Sequence, residues 1–226
     1  MKGIRMAVLS VTLMAVPLLA RDTGPAQGLR DAAAALTQIM DAPGRRIPEQ
    51  LLERARCFVI VPNLEVGPFV IGTRGRGYVT CRQGGSWSPP GVVTLDAGRI
   101  GFRIGGSSTD LVLLVMNSRV TDALLDQEFA LGPEGSVAAG PVGLDLHRYS
   151  DEQVHADILS WAHSDGTLTG VALDGITLHQ DLGSNERLYG RRIENRALIT
   201  SGLAPPDSAS ALLAVLTRYA RRAHAQ

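Results

Sequence analysis

Residues Gly98–Asn117 read GRIGFRIGGSSTDLVLLVMN. In the first half Ile100, Phe102 and Ile104 fall on one side of an extended chain, and Gly101, Arg103 and Gly105 on the other. That is the period-two pattern of a strand with one buried face. In the second half Leu111–Met116 is apolar throughout and bounded by polar residues, as expected of a strand buried on both faces. Two such strands so close together place a sheet at the centre of the fold.

Working outward, Cys57–Val61, Pro68–Gly72, Gly77–Arg82 and Val92–Leu95 are further β-rich runs, with a hairpin turn at Gln83–Gly85. Trp87 and Ser88 are expected to anchor a turn. Helical spacing is read at Leu29–Met40, where Leu36, Ile39 and Met40 share a stripe. It is read again after Pro48, with Glu49 in the first turn and Arg54 and Arg56 at the end, matching the helix dipole. Further on come a helix over Ser118–Phe129, Gly-rich strands through Val137–Leu146, a helix over Glu152–His163 and a hairpin over Leu168–Leu178. Asp207 caps a last amphipathic helix with Ala209, Leu212, Leu213, Leu216 and Tyr219 on its buried stripe. The expected fold is α+β: one domain, with a Gly-rich, mostly antiparallel sheet flanked by helices.

Composition narrows the function classes. The 226 residues are 45% hydrophobic and 19% charged, which suits a folded globule. The 22 basic and 22 acidic residues cancel, so affinity for a polyanion must come from a local patch, and nucleic acid is not an expected partner. Lys2 is the only lysine; every other cation is Arg, the better side chain for two-pronged contact with phosphate or carboxylate. The start, with Lys2 and Arg5 ahead of the uncharged run Met6–Ala20, reads as a secretory signal over residues 1–20, with an uncleaved anchor as the alternative. Residues 21–28 read as a polar linker. Export would permit a bridge between Cys57 and Cys81, whose alternative is two buried thiols.

Signatures of catalysis are absent: the sequence holds no GxSxG, HExxH or GxxxxGK[ST]. Gly72–Gly77 (GTRGRG) has its glycines in the wrong order for a nucleotide loop and leads into a strand. His147, His155 and His163 recur every eight residues, which does not bring them together on one helix, while Asp151 could face His155. No catalytic residue, cofactor or metal site is therefore expected. An enzyme remains only as a site assembled in three dimensions, for example around Asp110, His155 or His179.

Five blocks occur in order: IPEQLLERARCFVIVP (Ile47–Pro62); GTRGRGYVTCR (Gly72–Arg82) with WSPP (Trp87–Pro90); the Gly98–Asn117 stretch; GSVAAGPVG (Gly135–Gly143); and ILSWAHSDGTLTGVALDG (Ile158–Gly175), closed by LYG at Leu188–Gly190. In these the chain resembles the SYLF domain family of lipid-binding modules, and the domain is placed at residues 29–222 with a tail at 223–226. The resemblance implies non-catalytic binding of anionic, phosphoinositide-like phospholipid membranes through a basic segment. Its matching residues here are Arg45, Arg46, Arg54, Arg56, Arg74 and Arg76. A second basic set, Arg191, Arg192, Arg196, Arg218, Arg221 and Arg222, would serve the same purpose or keep the tail soluble. Asp165 departs from the family's basic run at that point, and a phosphate contact there would be lost. The alternative is a structural or protein-interaction domain of the cell envelope with no lipid role.

Overall fold

The computed structural model describes residues 24–44, 46–64, 73–97, 108–132, 136–142, 155–164, 166–171, 173 and 175–220. Residues 1–23, Arg45, the runs Pro68–Gly72 and Arg99–Gly105, His147, Asp151, Asp165, Arg221, Arg222 and residues 223–226 lie outside the described residues.

Helices α1 (Pro25–Asp41) and α2 (Glu49–Arg54) lead into the strands β1 (Cys57–Leu64), β2 (Thr73–Gln83), β3 (Ser86–Trp87), β4 (Gly91–Ala97) and β5 (Thr109–Val115). Then follow α3 (Ser118–Leu124), β6 (Glu128–Ala130), β7 (Val137–Ala139), β8 (Ile158–Ser164), β9 (Thr167–Gly170) and β10 (Ile176–Gln180). Helices α4 (Leu182–Tyr189) and α5 (Asn195–Thr200), a 3₁₀ turn (Asp207–Ala209) and α6 (Ser210–Tyr219) close the described chain. The strands form one sheet in the order β6-β10-β4-β2-β1-β5-β8-β7, with β3 added to β2 and β9 to β8. Each described ladder is antiparallel except β7–β8.

Side chains alternate between the faces of a strand, and β1 divides accordingly. Phe58 and Ile60 join Tyr78, Val112, Leu114 and Trp161 beneath α1, α2 and α6. Cys57, Val59 and Val61 join Val79, Leu113, Phe129 and Leu178 on the other face, with α3 and Ile199 of α5. The sheet curls far enough for β6 and β10 to share this second cluster with β1 and β5. Two covered faces explain why β1 and β5 are apolar at nearly every position.

Local pattern misleads in five places. Pro25–Gly28, expected as linker, is the first turn of α1. Helix α3 stops at Leu124, and Phe129 lies in β6. The expected helix ending at His163 is instead β8 from Ile158 onward, paired with β5, β7 and β9. Its buried run ILSWA fits either period, and neighbours on both edges decide for strand. The hairpin of Leu168–Leu178 is split, because β9 returns to β8 while β10 joins β4 and β6. Asp207 opens the 3₁₀ turn, which has no side-chain cap.

Two family blocks have packing reasons. Gly140 lies against the ring of Trp161, where an added Cβ would come within 2.0 Å, and Trp161 donates its Nε1–H to the Pro141 carbonyl at 3.0 Å. In GTRGRG an added Cβ at Gly75 would reach Leu64 at 2.6 Å and Val61 at 2.8 Å. Gly75 and Gly77 leave room for the Val61 and Leu64 side chains of β1, and residues 73–77 of the motif lie in β2.

Cys57 and Cys81 face each other across β1 and β2 and are joined by a disulfide. The adjacent pair Arg56–Arg82 carries the ladder hydrogen bond (Arg82 N–H to Arg56 C=O, 2.8 Å). The cysteines therefore occupy a non-hydrogen-bonded position, where side chains approach most closely. The bridge spans a sequence separation of 24. Reduction, or Cys57→Ser with Cys81→Ser, is expected to cost about 3 kcal/mol through loop-closure entropy. Urea unfolding with and without reductant measures it; coincident midpoints would contradict this role.

Candidate functional site

Arg82 sits near the end of β2, where two helices also terminate. Its Nε donates to the Ala55 carbonyl at 2.9 Å, and Nη2 to the carbonyls of Leu52 at 2.9 Å and Ala220 at 2.6 Å. The guanidinium stacks 4.4 Å above the Trp87 ring, which meets Phe58 edge-on. One cation thus answers the unsatisfied carbonyls at the C-terminal ends of α2 and α6. The Trp87 turn is fixed from its other side. Ser88 Oγ accepts the Cys81 N–H at 3.0 Å, and Thr80 donates to the Ser88 carbonyl at 2.9 Å. Tyr189 donates to the Pro90 carbonyl at 2.6 Å, and burial raises its phenol above the ordinary tyrosine range.

Around this clasp lie Arg54, which ends α2, Arg56, which follows it, and Arg218 in the last turn of α6. All three are exposed, and among the described residues none forms an ion pair. Arg218 lies over the ring of its neighbour Tyr219, 4.9 Å from the centroid. Arg46, paired with Glu49 at 3.3 Å, lines a hollow of about 390 Å³ together with Arg218, Tyr219 and Asp41. The Tyr219 hydroxyl donates to Asp41, and that bond raises the phenol's pKa.

Arg74 and Arg76 are elsewhere. Six residues of strand separate Arg76 from Arg82, about 20 Å. Both line a smaller hollow, about 190 Å³, with Asp31, Asn63 and Tyr78. Arg74 is paired with Asp96 at 3.2 Å, and Arg76 faces Asp181 at 3.9 Å. Asp181 also caps α4 through Ser184. Burial pushes the Tyr78 hydroxyl up to about 12, against the neighbouring Arg76, and it donates to the Pro25 carbonyl at 2.9 Å. The structure therefore gathers Arg46, Arg54 and Arg56 with Arg218 and sets Arg74 and Arg76 apart among carboxylates. Of the second basic set, Arg196 is held by Asp122 and Asp126, while Arg191 and Arg192 are exposed after α4.

The other polar groups are dispersed. Asp110 and His163 pair across β5 and β8 at 3.4 Å. His179 meets Glu128 at 3.9 Å on β10 and β6, with β1, β2 and β4 between the two pairs in the strand order. His155 is exposed. At Asp157 burial raises the carboxyl's pKa, but hydrogen bonds from Asn117 and Ser136 outweigh it, and the net shift is downward. Among the described residues no three His, Cys, Asp or Glu side chains gather as metal ligands, and no helix is long and apolar enough to cross a membrane.

Comparison with known proteins gives this arrangement a family. The profile of the Ysc84 family, described as "Las17-binding protein actin regulator", matches residues 96–219, more than half of the chain. The chain belongs to this family. A similar protein is LAS seventeen-binding protein 3 of Saccharomyces cerevisiae, 25% identical over 174 residues, which make up 75% of this chain and 38% of the yeast protein. Another is SH3 domain-containing YSC84-like protein 1 of Homo sapiens, 26% identical over 184 residues, 80% of this chain and 54% of the human one. The chain thus spans about a third to a half of the curated relatives it matches. The Ysc84 match bears out the SYLF resemblance, and the blocks that carry the resemblance have structural duties in this fold. WSPP and LYG meet at the Tyr189–Pro90 bond, and GSVAAGPVG covers Trp161.

Sequence reasoning missed Arg82, Asn185 and Asn195. The two asparagines are fully buried and hydrogen-bonded to each other at 2.8 Å. Asn185 accepts the Val92 N–H at 2.9 Å, and Asn195 donates to the Val92 carbonyl at 3.1 Å. Polar residues in a polar stretch carry no periodic signal. The WSPP turn, five residues after Arg82, was a usable clue to the cation stacked on it. Arg82→Ala is expected to cost about 3 kcal/mol, and Arg82→Lys about half of that, because a lysine cannot reach several carbonyls while stacking. Denaturant midpoints test this, and equal stability of all three proteins would contradict it.

Proposed function

We propose that this Ysc84-family domain is a non-catalytic module of an exported protein that settles on anionic phospholipid surfaces through Arg46, Arg54, Arg56 and Arg218. The observation that carries the reading is the convergence of helix ends on Arg82, which sets exposed arginines from separated parts of the sequence on one end of the domain. Near an anionic bilayer each cation contributes about 1 kcal/mol, so three or four together give useful, salt-sensitive binding. Arg74 and Arg76 are left out of the face because they lie about 20 Å or more from Arg82 along β2. Export is supported by the basic, then apolar start and by the disulfide, which persists in an oxidising compartment.

A second reading draws on the family description and on the relatives' names, which speak of Las17 binding. The same arginine end would suit an acidic protein segment.

Co-sedimentation with phosphatidylglycerol-containing vesicles separates the readings. Wild-type protein is expected to bind at low salt and to dissociate as salt rises. Arg54→Ala with Arg56→Ala should weaken binding about tenfold, by two cations at a partly screened surface. Arg74→Ala should change it little. An equal loss from Arg74→Ala, or undiminished binding to neutral vesicles, would overturn the assignment of the face.

A further inference from the structure

The hollow between the ends of α1 and α6 mixes charges in a way that a purely anionic ligand does not explain. Helix α1 stops at Asp41 and α6 at Tyr219, so both turn the negative end of the helix dipole toward it. The Asp41 carboxylate lies on the same wall, and it retains acceptor capacity beyond the one hydrogen bond from Tyr219. Arg46 and Arg218, which line the same hollow, supply the opposite sign. Arg46 is shared with Glu49 in a partly exposed pair, of a kind that is weak and easily exchanged. Among the described residues, two guanidinium groups, one carboxylate and two carbonyl-bearing helix ends favour an ammonium and a phosphate together over either alone. At about 390 Å³ the hollow falls in the range of small-ligand pockets, about 300–1,000 Å³.

We infer that this hollow takes a zwitterionic phosphoethanolamine-type lipid head group, its ammonium on Asp41 and the helix carbonyls and its phosphate on Arg46 and Arg218. The inference rests on the membrane-binding reading and adds to it: exposed Arg54 and Arg56 supply general attraction to the bilayer, and the hollow selects one head group. Tyr219 holds the Asp41 carboxylate in place and carries Arg218 across its ring.

The test is a nuclear magnetic resonance titration of the folded chain with glycerophosphoethanolamine, with glycerophosphoglycerol and inorganic phosphate as comparisons. The expected result is a saturable shift of the Asp41, Arg46, Arg218 and Tyr219 resonances with glycerophosphoethanolamine alone. The affinity should fall about tenfold in Asp41→Asn and again in Arg218→Ala, the worth of one charge-assisted hydrogen bond each. An equal response to inorganic phosphate, or no saturable shift, would overturn the inference. A vesicle arm fixes the source. At constant phosphatidylglycerol content, added phosphatidylethanolamine should tighten binding of the wild type and leave Asp41→Asn unchanged. Soluble binding with no such vesicle effect would overturn a lipid as the source. Anionic vesicles bound without any head-group preference would sink this inference alone, whereas loss of all vesicle binding would sink the parent reading.

Discussion

A half-buried guanidinium cannot be left without acceptors, and helix C-termini cannot be left without donors; Arg82 resolves both needs at once. Its three carbonyl partners belong to α2, to the residue after it and to the residue after α6, and its flat face lies on Trp87. Because desolvating a cation is expensive, the arrangement holds only if those backbone groups arrive together. The requirement aligns the ends of two helices with one end of the sheet, and α1 ends nearby through the Asp41–Tyr219 contact. Arginines at helix ends, each locally favoured by the dipole, are thereby collected into a common surface. Net charge is zero over the chain, but the placement of helix termini makes it uneven in space.

Much of the sheet was legible from residues alone. The apolar runs at Cys57–Val61 and Leu111–Met116 are β1 and β5, adjacent in the sheet, and the turn at Gln83–Gly85 joins β2 to β3. Failures arose where two periods fit the same letters. Ile158–Ala162 is apolar or small throughout, and only its pairing with β5, β7 and β9 identifies a strand. The cysteine pairing was open in one dimension and closes once the register sets Cys57 opposite Cys81.

The candidate site was only partly readable, for a geometric reason. Arg54 and Arg56 stand out beside a predicted helix end. Arg74 and Arg76, equally basic on the page, alternate on β2 toward α1 and meet carboxylates supplied by β4 and by the cap of α4. Arg218 lies more than 150 residues from Arg56 and joins it only because Arg82 holds both helix ends. Membership of the Ysc84 family speaks for the scaffold, since its marked blocks are consumed by close strand contacts, the Trp87 turn and the cover of Trp161. The proposed membrane face lies at helix ends that those blocks merely position.

Amide hydrogen exchange of the intact chain, free and on anionic vesicles, tests this account most directly. It predicts added protection confined to the end of α1, α2 and the last turn of α6, with β2 around Arg74 and Arg76 unchanged. Protection spread over the whole surface, or concentrated at the start of β2, would contradict it.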